Sequence, residues 1–410
     1  MTTTQRVLAG LALGAILGLA LAMWAPVQAA TAAAIAQPIG KLWLAALQMT
    51  VVPLVFALVV LGVNSARDAA ASGRTARTAM IVFLVLLTVA AAIAALLAPM
   101  LLSLLPRDAT AAEAMHRALT ATPATAPPGA ADWLANIIPT NAIAAAAQGA
   151  MLPLVVFALF LGFALPKIAA ERRAHMLELL HAIADSMIVI VRWVLWAAPI
   201  GVFALVLAVT AKVGLDVIGA LGAYIVLICG IYLLVTALVY ILAVAFGGQR
   251  LRRFASGIAP AQGIAISTQS SLASLPVMLE CARTRLGYRE ETSSLVLPMA
   301  ASLFRITSPV QYIVACAFIA WAFGIEIPLL QMLLVVPLTV VVSMGSVGLP
   351  GQVSFMATNV PVAQALGLPL EPLGLLLAVD TIPDAFATVG NVTADLGATA
   401  VVDKRTSAIE

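Results

Sequence analysis

From residue 6 to residue 402 this chain is one long apolar run after another, and no water-soluble surface can be built from it. Each run is long enough to cross roughly 30 Å of hydrocarbon as a helix, for which about 20 residues suffice. Of 410 residues, 63% are hydrophobic and 10% charged, whereas soluble domains carry about a quarter charged. The reading is an all-α polytopic membrane protein. Apolar runs and their charged breaks predict helices at 6–26, 38–66, 75–105, 148–167, 174–212 and 216–247. The first also has the outline of a secretory leader, with Arg6, an apolar stretch and a small-residue end near Ala29. Its length and the spans that follow favour a retained helix. The Ala-, Thr- and Pro-rich segment 106–135 reads as an extramembrane loop.

Beyond residue 250 the pattern changes. Segments 251–283 and 328–368 are interrupted by Gly, Pro and Ser clusters, while 289–322 and 370–402 read as fuller spans with polar residues at membrane depth. Backbone exposed at that depth is tolerated only when packed in protein or lining a cavity, because lipid satisfies neither amides nor carbonyls. Two such segments, each followed by a polar-bearing span, are what an inverted repeat leaves in a sequence. Treating both as re-entrant hairpins gives eight transmembrane helices plus two hairpins. With both termini in the cytoplasm, 15 of the 21 Lys and Arg fall inside, including the cluster Arg283, Arg285 and Arg289. Were each hairpin a full span, that cluster would move outside.

The last span carries Asp380, Asp384, Thr388, Asn391 and Asp395 at spacings of four, four, three and four, which is one helical face. An intramembrane carboxylate costs several kcal/mol unless it meets a partner or a polar cavity, so this stripe marks a functional site. Asp380 also fits a purely structural role, capping or pairing within the bundle. Arg305, in the preceding span, keeps its charge and needs an anion. Asp395 or Asp384 is the expected standing partner, ahead of an anionic substrate alone. The first hairpin holds Ser267-Thr268-Gln269-Ser270-Ser271-Leu272-Ala273-Ser274-Leu275-Pro276, whose free amides suit an anionic group. The second holds Ser343-Met344-Gly345-Ser346-Val347-Gly348-Leu349-Pro350-Gly351, which releases backbone groups for a ligand and reads as a lid. Either run alone fits close helix packing as well.

Other classes fare poorly. His116, His175 and His181 lie in loops or at a helix start, away from the serine-rich tip, so a hydrolase lacks its base. Cys229, Cys281 and Cys316 have no metal-ligand spacing and read as buried small residues. No nucleotide-binding Gly-rich loop and no basic stripe is present, so neither ATP use nor nucleic-acid binding is expected. No organic cofactor is called for.

Several further pieces of the chain, in order, resemble one family. These are Met49-Thr50-Val51-Val52-Pro53-Leu54-Val55-Phe56, Ile138-Pro139-Thr140-Asn141, Ala198-Pro199-Ile200-Gly201-Val202-Phe203-Ala204-Leu205, Leu349-Pro350-Gly351 and Asn391-Val392-Thr393-Ala394-Asp395. Together with the serine-rich hairpin they resemble the dicarboxylate/amino acid:cation symporters, which include glutamate and neutral amino acid transporters. The resemblance implies an inner-membrane homotrimer working as an elevator. Scaffold helices would occupy 1–74 and, with the extramembrane loop, 106–214. A transport domain would comprise 75–105 and 215–410. It further implies Asp384 as ligand of a substrate amine. Ser271, Thr388 and Asn391 would lie near its α-carboxylate and Ser308 near its side chain, with Ser270 and, at the second hairpin, Leu349 and Gly351 completing the substrate-binding set. Asn391 with Asp395, and Ser343 with Ser346, match two cation sites.

The chain departs from that family in two places. Acidic-substrate members carry an arginine where this chain has Ala387, which makes a small neutral amino acid the expected substrate. The family's Asn-Met-Asp-Gly-Thr appears as Phe304-Arg305-Ile306-Thr307-Ser308, and its partner Tyr and Thr as Phe83 and Leu86. A hard cation needs several oxygen ligands, and Phe83, Leu86, Phe304 and Ile306 offer none. The expectation is that Arg305 supplies, as both substrate-site residue and fixed charge, some of what sodium supplies in relatives, leaving Na⁺ or H⁺ as coupling ion. Two alternatives stand beside this: a dicarboxylate carrier that binds the second carboxylate with Arg305, and a non-transporting sensor of this fold.

Overall fold

The computed structural model describes residues 3–71, 73–105, 138–214, 216–345 and 351–407. No strand occurs among them. The helices are α1 (Thr3–Trp24), α2 (Pro26–Gln48), α3 (Val51–Ala71), α4 (Arg74–Ser103), α5 (Ala142–Ala147) and α6 (Met151–Ala164). They continue with α7 (Ala170–Trp196), α8 (Ala198–Val213), α9 (Asp216–Ala245), α10 (Leu251–Thr268), α11 (Ser271–Cys281) and α12 (Glu290–Leu303). The last six are α13 (Thr307–Ala322), α14 (Leu329–Leu334), α15 (Val336–Gly345), α16 (Gly351–Ala365), α17 (Glu371–Val379) and α18 (Thr381–Ser407). Among the described residues, six helical stretches are long and apolar enough to cross a membrane, and four shorter apolar helices accompany them. The protein is therefore polytopic. The predicted loop at 106–135 and His116 lie outside the described residues.

Four expected single spans are instead broken helices. The second starts at Pro26 rather than 38 and breaks at Met49–Thr50, and the run 174–212 breaks at Ala197. The seventh opens at Phe304–Ile306 and the last at Asp380. Each break lies two to five residues before a proline, namely Pro53, Pro199, Pro309 and Pro383. A proline has no N–H for the carbonyl four residues back, and its ring crowds that carbonyl. Pro99, Pro260 and Pro298 nevertheless sit inside continuous helices. Proline thus permits a break, and tertiary partners decide where one is used. His175 and His181, expected in loops or at a helix start, both lie within α7.

Helix α1 packs along α8, and small residues set the distance. A Cβ on Gly14 would sit 2.7 Å from the Phe203 carbonyl oxygen, against backbone that cannot yield. Helices α2, α3, α6 and α7 complete this side, with Arg173 Nη2 of α7 donating to both carboxylate oxygens of Asp68 of α3 at 2.7 and 2.9 Å. On the other side α4 packs against α13 and α18, α9 lies along α18, and α10 and α11 form a helix–turn–helix laid on α18 and α12.

The two hairpins differ in what covers them. Helix α15 ends against α3, where a Cβ on Gly62 would lie 2.7 Å from the Gly345 Cα. The following arm packs on α3, α6 and α7 and is buried from Ser354 through Ala363. The first hairpin's tip remains open: Ile266 is 58% and Leu272 50% exposed.

Candidate functional site

Two helix breaks, one hairpin tip and one hairpin arm converge on the polar stripe. At the α12–α13 break, Pro309 leaves the Arg305 carbonyl unclaimed by its own ladder, and the Ser308 N–H takes it at 3.0 Å. The freed Thr307 N–H donates to Asn391 Oδ1 at 3.0 Å, and the Thr307 hydroxyl donates to the same oxygen at 2.9 Å. Asn391 is 1% exposed. With Oδ1 occupied twice, its side chain keeps only N–H donors for a ligand, which suit a carboxylate and not a cation. A cation role for Asn391 would have to use its backbone carbonyl.

At the α17–α18 break, Asp380 is buried and its Oδ1 accepts from Gln311 Nε2 of α13 at 2.8 Å. The Asp384 N–H donates to the Asp380 carbonyl at 2.8 Å, so the two carboxylates stand one helical turn apart. The tip of the first hairpin reaches this break. Gln269, left-handed at φ 50°, donates from Nε2 to the Thr381 carbonyl at 2.9 Å. Gln269 and Gln311 were missed by sequence reasoning. Gln269 lay in a quoted hydroxyl-rich run and Gln311 in an apolar one, and neither run points to its partner.

The predicted residues fall into clear groups. Asp384 is half-buried, and its carboxylate makes no hydrogen bond or ion pair with any described residue. Thr388 is buried and its hydroxyl donates to the Asp384 carbonyl at 2.8 Å. Ser308 is buried in the first turn of α13. Ser270 is the N-cap of α11, its hydroxyl accepting from the Ala273 N–H at 3.2 Å, so that oxygen is held for structure. Ser271 opens the same helix and is half-buried. Asp395 is wholly buried, and neither of its oxygens has a hydrogen-bond partner among the described residues. Ser343 is buried near the end of α15. Gly351 begins α16, whereas Ser346 and Leu349 lie outside the described residues.

The expected ion pair of Arg305 with Asp395 or Asp384 does not form. Its Nη1 instead reaches Ser354 Oγ of α16 at 3.5 Å. The reason is geometric: the opened backbone at Phe304–Ile306 carries Arg305 to the second hairpin's arm, while Asp384 and Asp395 stay on α18.

Where the resemblance implies a sodium site in the seventh helix, the side chains at Phe83 and Phe304 are aromatic. Phe83 of α4 and Phe304 stack with centroids 4.7 Å apart and planes 7° from parallel, both fully buried. Neither ring carries a side-chain oxygen, so these two side chains do not fit a hard cation such as sodium.

The chain matches the model of the sodium:dicarboxylate symporter family over residues 4–405. It is 28% identical over 371 residues to the proton/glutamate-aspartate symporter of Escherichia coli, covering 90% of this chain and 84% of that protein. Against neutral amino acid transporter B(0) of rabbit, Oryctolagus cuniculus, it is 31% identical over 396 residues, covering 87% of this chain and 71% of the relative. Against the mouse transporter of the same name the match is 30% over 250 residues, and it spans only 44% of that protein. The family match covers nearly the whole chain and the polar stripe sits inside it; the protein is a membrane transporter, not an enzyme, and belongs to the sodium:dicarboxylate symporter family.

Proposed function

We propose that this protein is a cation-coupled symporter for a small neutral amino acid, working at the inner membrane. The observation that carries the reading is Asp384, a half-buried carboxylate beside a helix break with no hydrogen-bond or ion-pair partner among the described residues, which is a counter-charge kept for an amine. The donors left on Asn391 and the amides opening α11 are groups suited to the α-carboxylate of the same substrate. Ser308 would meet the substrate side chain, and Ala387 provides no charge for an acidic one. The relatives' names, a proton/glutamate-aspartate symporter and neutral amino acid transporters, support the class.

The stacked Phe83 and Phe304 support reduced dependence on sodium, with Arg305 as a permanent charge nearby. A covered second hairpin and an open first hairpin support an elevator captured with its first-hairpin side exposed, the cytoplasmic side if both termini are cytoplasmic. A homotrimer, with two re-entrant hairpins and eight spanning helices, follows from the family likeness.

One observation favours a second reading. Arg305 is half-buried and makes no ion pair among the described residues, so it has a guanidinium to offer a second substrate carboxylate. Uptake into liposomes separates the two. Serine and alanine should be accumulated, and aspartate and succinate should compete weakly. Strong succinate uptake would select the diacid reading, and strict dependence on several sodium ions would refute the reduced-sodium reading.

A further inference from the structure

The family likeness gives Asp384 to a substrate amine and Asp395 to a cation, and it leaves Asp380 without a task. Asp380 is 6% exposed, one turn from Asp384 on the same face. Like charges at that spacing repel, and apolar surroundings screen them little. The groups acting on it can be named element by element. Asp384 lies on α18, Arg305 and Gln311 on or beside α13, and Tyr224, Cys229 and Tyr232 on α9. The scaffold helices bring Lys41 beside Glu371, at the far end of α17 and more than two turns from Asp380.

Charge is therefore short at this site. Two buried carboxylates, Asp380 and Asp395, and the half-buried Asp384 share one guanidinium that pairs directly with none of them. A zwitterionic substrate adds no net charge. Its ammonium needs Asp384 ionised, so of the two neighbouring carboxylates only Asp380 is free to hold a proton while substrate is bound. The direct partner of Asp380 is also a neutral amide. Gln311 donates to a carboxylate through Nε2 and can accept from a carboxylic acid through Oε1, so it serves both protonation states. An arginine or lysine there would hold Asp380 ionised.

We propose that Asp380 carries the coupling proton: it crosses as the neutral acid with substrate on Asp384, and returns empty as the carboxylate. One O–H bond forms to a proton from the outer solution and breaks on release inside, with no other reactant. This rests on the transport reading above, and the test separates the two.

The purified full-length chain is placed in sodium-free liposomes containing a trapped pH dye and given labelled serine, alanine, aspartate or succinate. Substrate entry by the wild type should acidify the lumen. One unit of inward pH gradient should support about tenfold accumulation if one proton accompanies each substrate. Asp380→Asn mimics the neutral acid permanently. It should still exchange internal for external substrate, at a lower rate, while acidification is lost and accumulation falls to about onefold. Gln311→Lys, which would fix Asp380 as carboxylate, should also abolish acidification, and it serves if Asp380→Asn does not fold. Gradient-driven accumulation by either folded variant overturns the proposal. A folded Asp380→Asn protein that binds nothing does so too, because the negative charge would then be the requirement. A wild type that moves substrate without protons overturns the proposal and spares the transport reading; one that moves none of the four overturns both.

Discussion

Replacing Gly62 by alanine tests the contact between α3 and the second hairpin. The added methyl would lie 2.7 Å from Gly345 Cα, 3.2 Å from the Met344 carbonyl oxygen and 3.3 Å from the Gly345 nitrogen. All three are backbone atoms, so no rotamer change relieves the clash and one helix must move. Overpacking of this kind costs about 1–3 kcal/mol. Removing glycine from a helix interior returns about 0.5–1 kcal/mol, which leaves a net loss of roughly 1–2 kcal/mol. Gly230 of α9 is the internal control, since a Cβ there meets nothing within 4 Å. Thermal unfolding of the detergent-solubilised protein, followed by tryptophan fluorescence, should lower Tm for Gly62→Ala and leave Gly230→Ala level or higher. Gly345→Ala should fall between them, its nearest neighbour being the Leu58 carbonyl oxygen at 3.2 Å. If α3 and α15 part during transport, the same substitution should shift the population about 5- to 30-fold away from this arrangement, read as faster crosslinking of states in which they are separated. Equal melting of Gly62→Ala and Gly230→Ala would refute the close approach and the covered-hairpin description built on it.

Other outcomes follow from the same geometry. Asp384→Asn should weaken binding of an amino acid by about 2–5 kcal/mol while sparing any binding of succinate, measured by thermal shift across a concentration series. Thr307→Val removes the hydroxyl that donates to Asn391 Oδ1 at 2.9 Å. It should cost about 1–3 kcal/mol of stability and weaken substrate binding, because Asn391 is no longer held. Restoring oxygens with the double change Phe83→Tyr and Phe304→Asn should raise the sodium dependence of uptake. Unchanged uptake across a sodium series would mean the stacked pair is not what excludes the ion.

Much of this protein is local in origin. Class, span positions and both interrupted segments follow from hydropathy and from Gly and Pro placement, because lipid imposes the same demand on every stretch of chain. The polar stripe on α18 was legible for the same reason, since a period of three to four residues is a property of one helix. Single spans were expected where the structure has broken ones, because a proline read in isolation does not reveal whether a partner waits for the freed backbone. Pro298 sits in an unbroken helix, whereas at Pro309 the opened Thr307 amide finds Asn391.

The pairings of the site lie beyond any local pattern. Thr307 and Asn391 are 84 residues apart, Gln311 and Asp380 are 69 apart, and Gln269 reaches the Thr381 carbonyl across 112. Arg305 was expected to neutralise a carboxylate on chemistry alone, and only the path of the opened backbone sends it to Ser354 instead. The sequence by itself determined which residues are costly in a membrane and so must be used. Which of them meet, and which carboxylate is left open for a ligand, was decided by tertiary packing, because charge and hydrogen-bonding capacity are composition while distance is not.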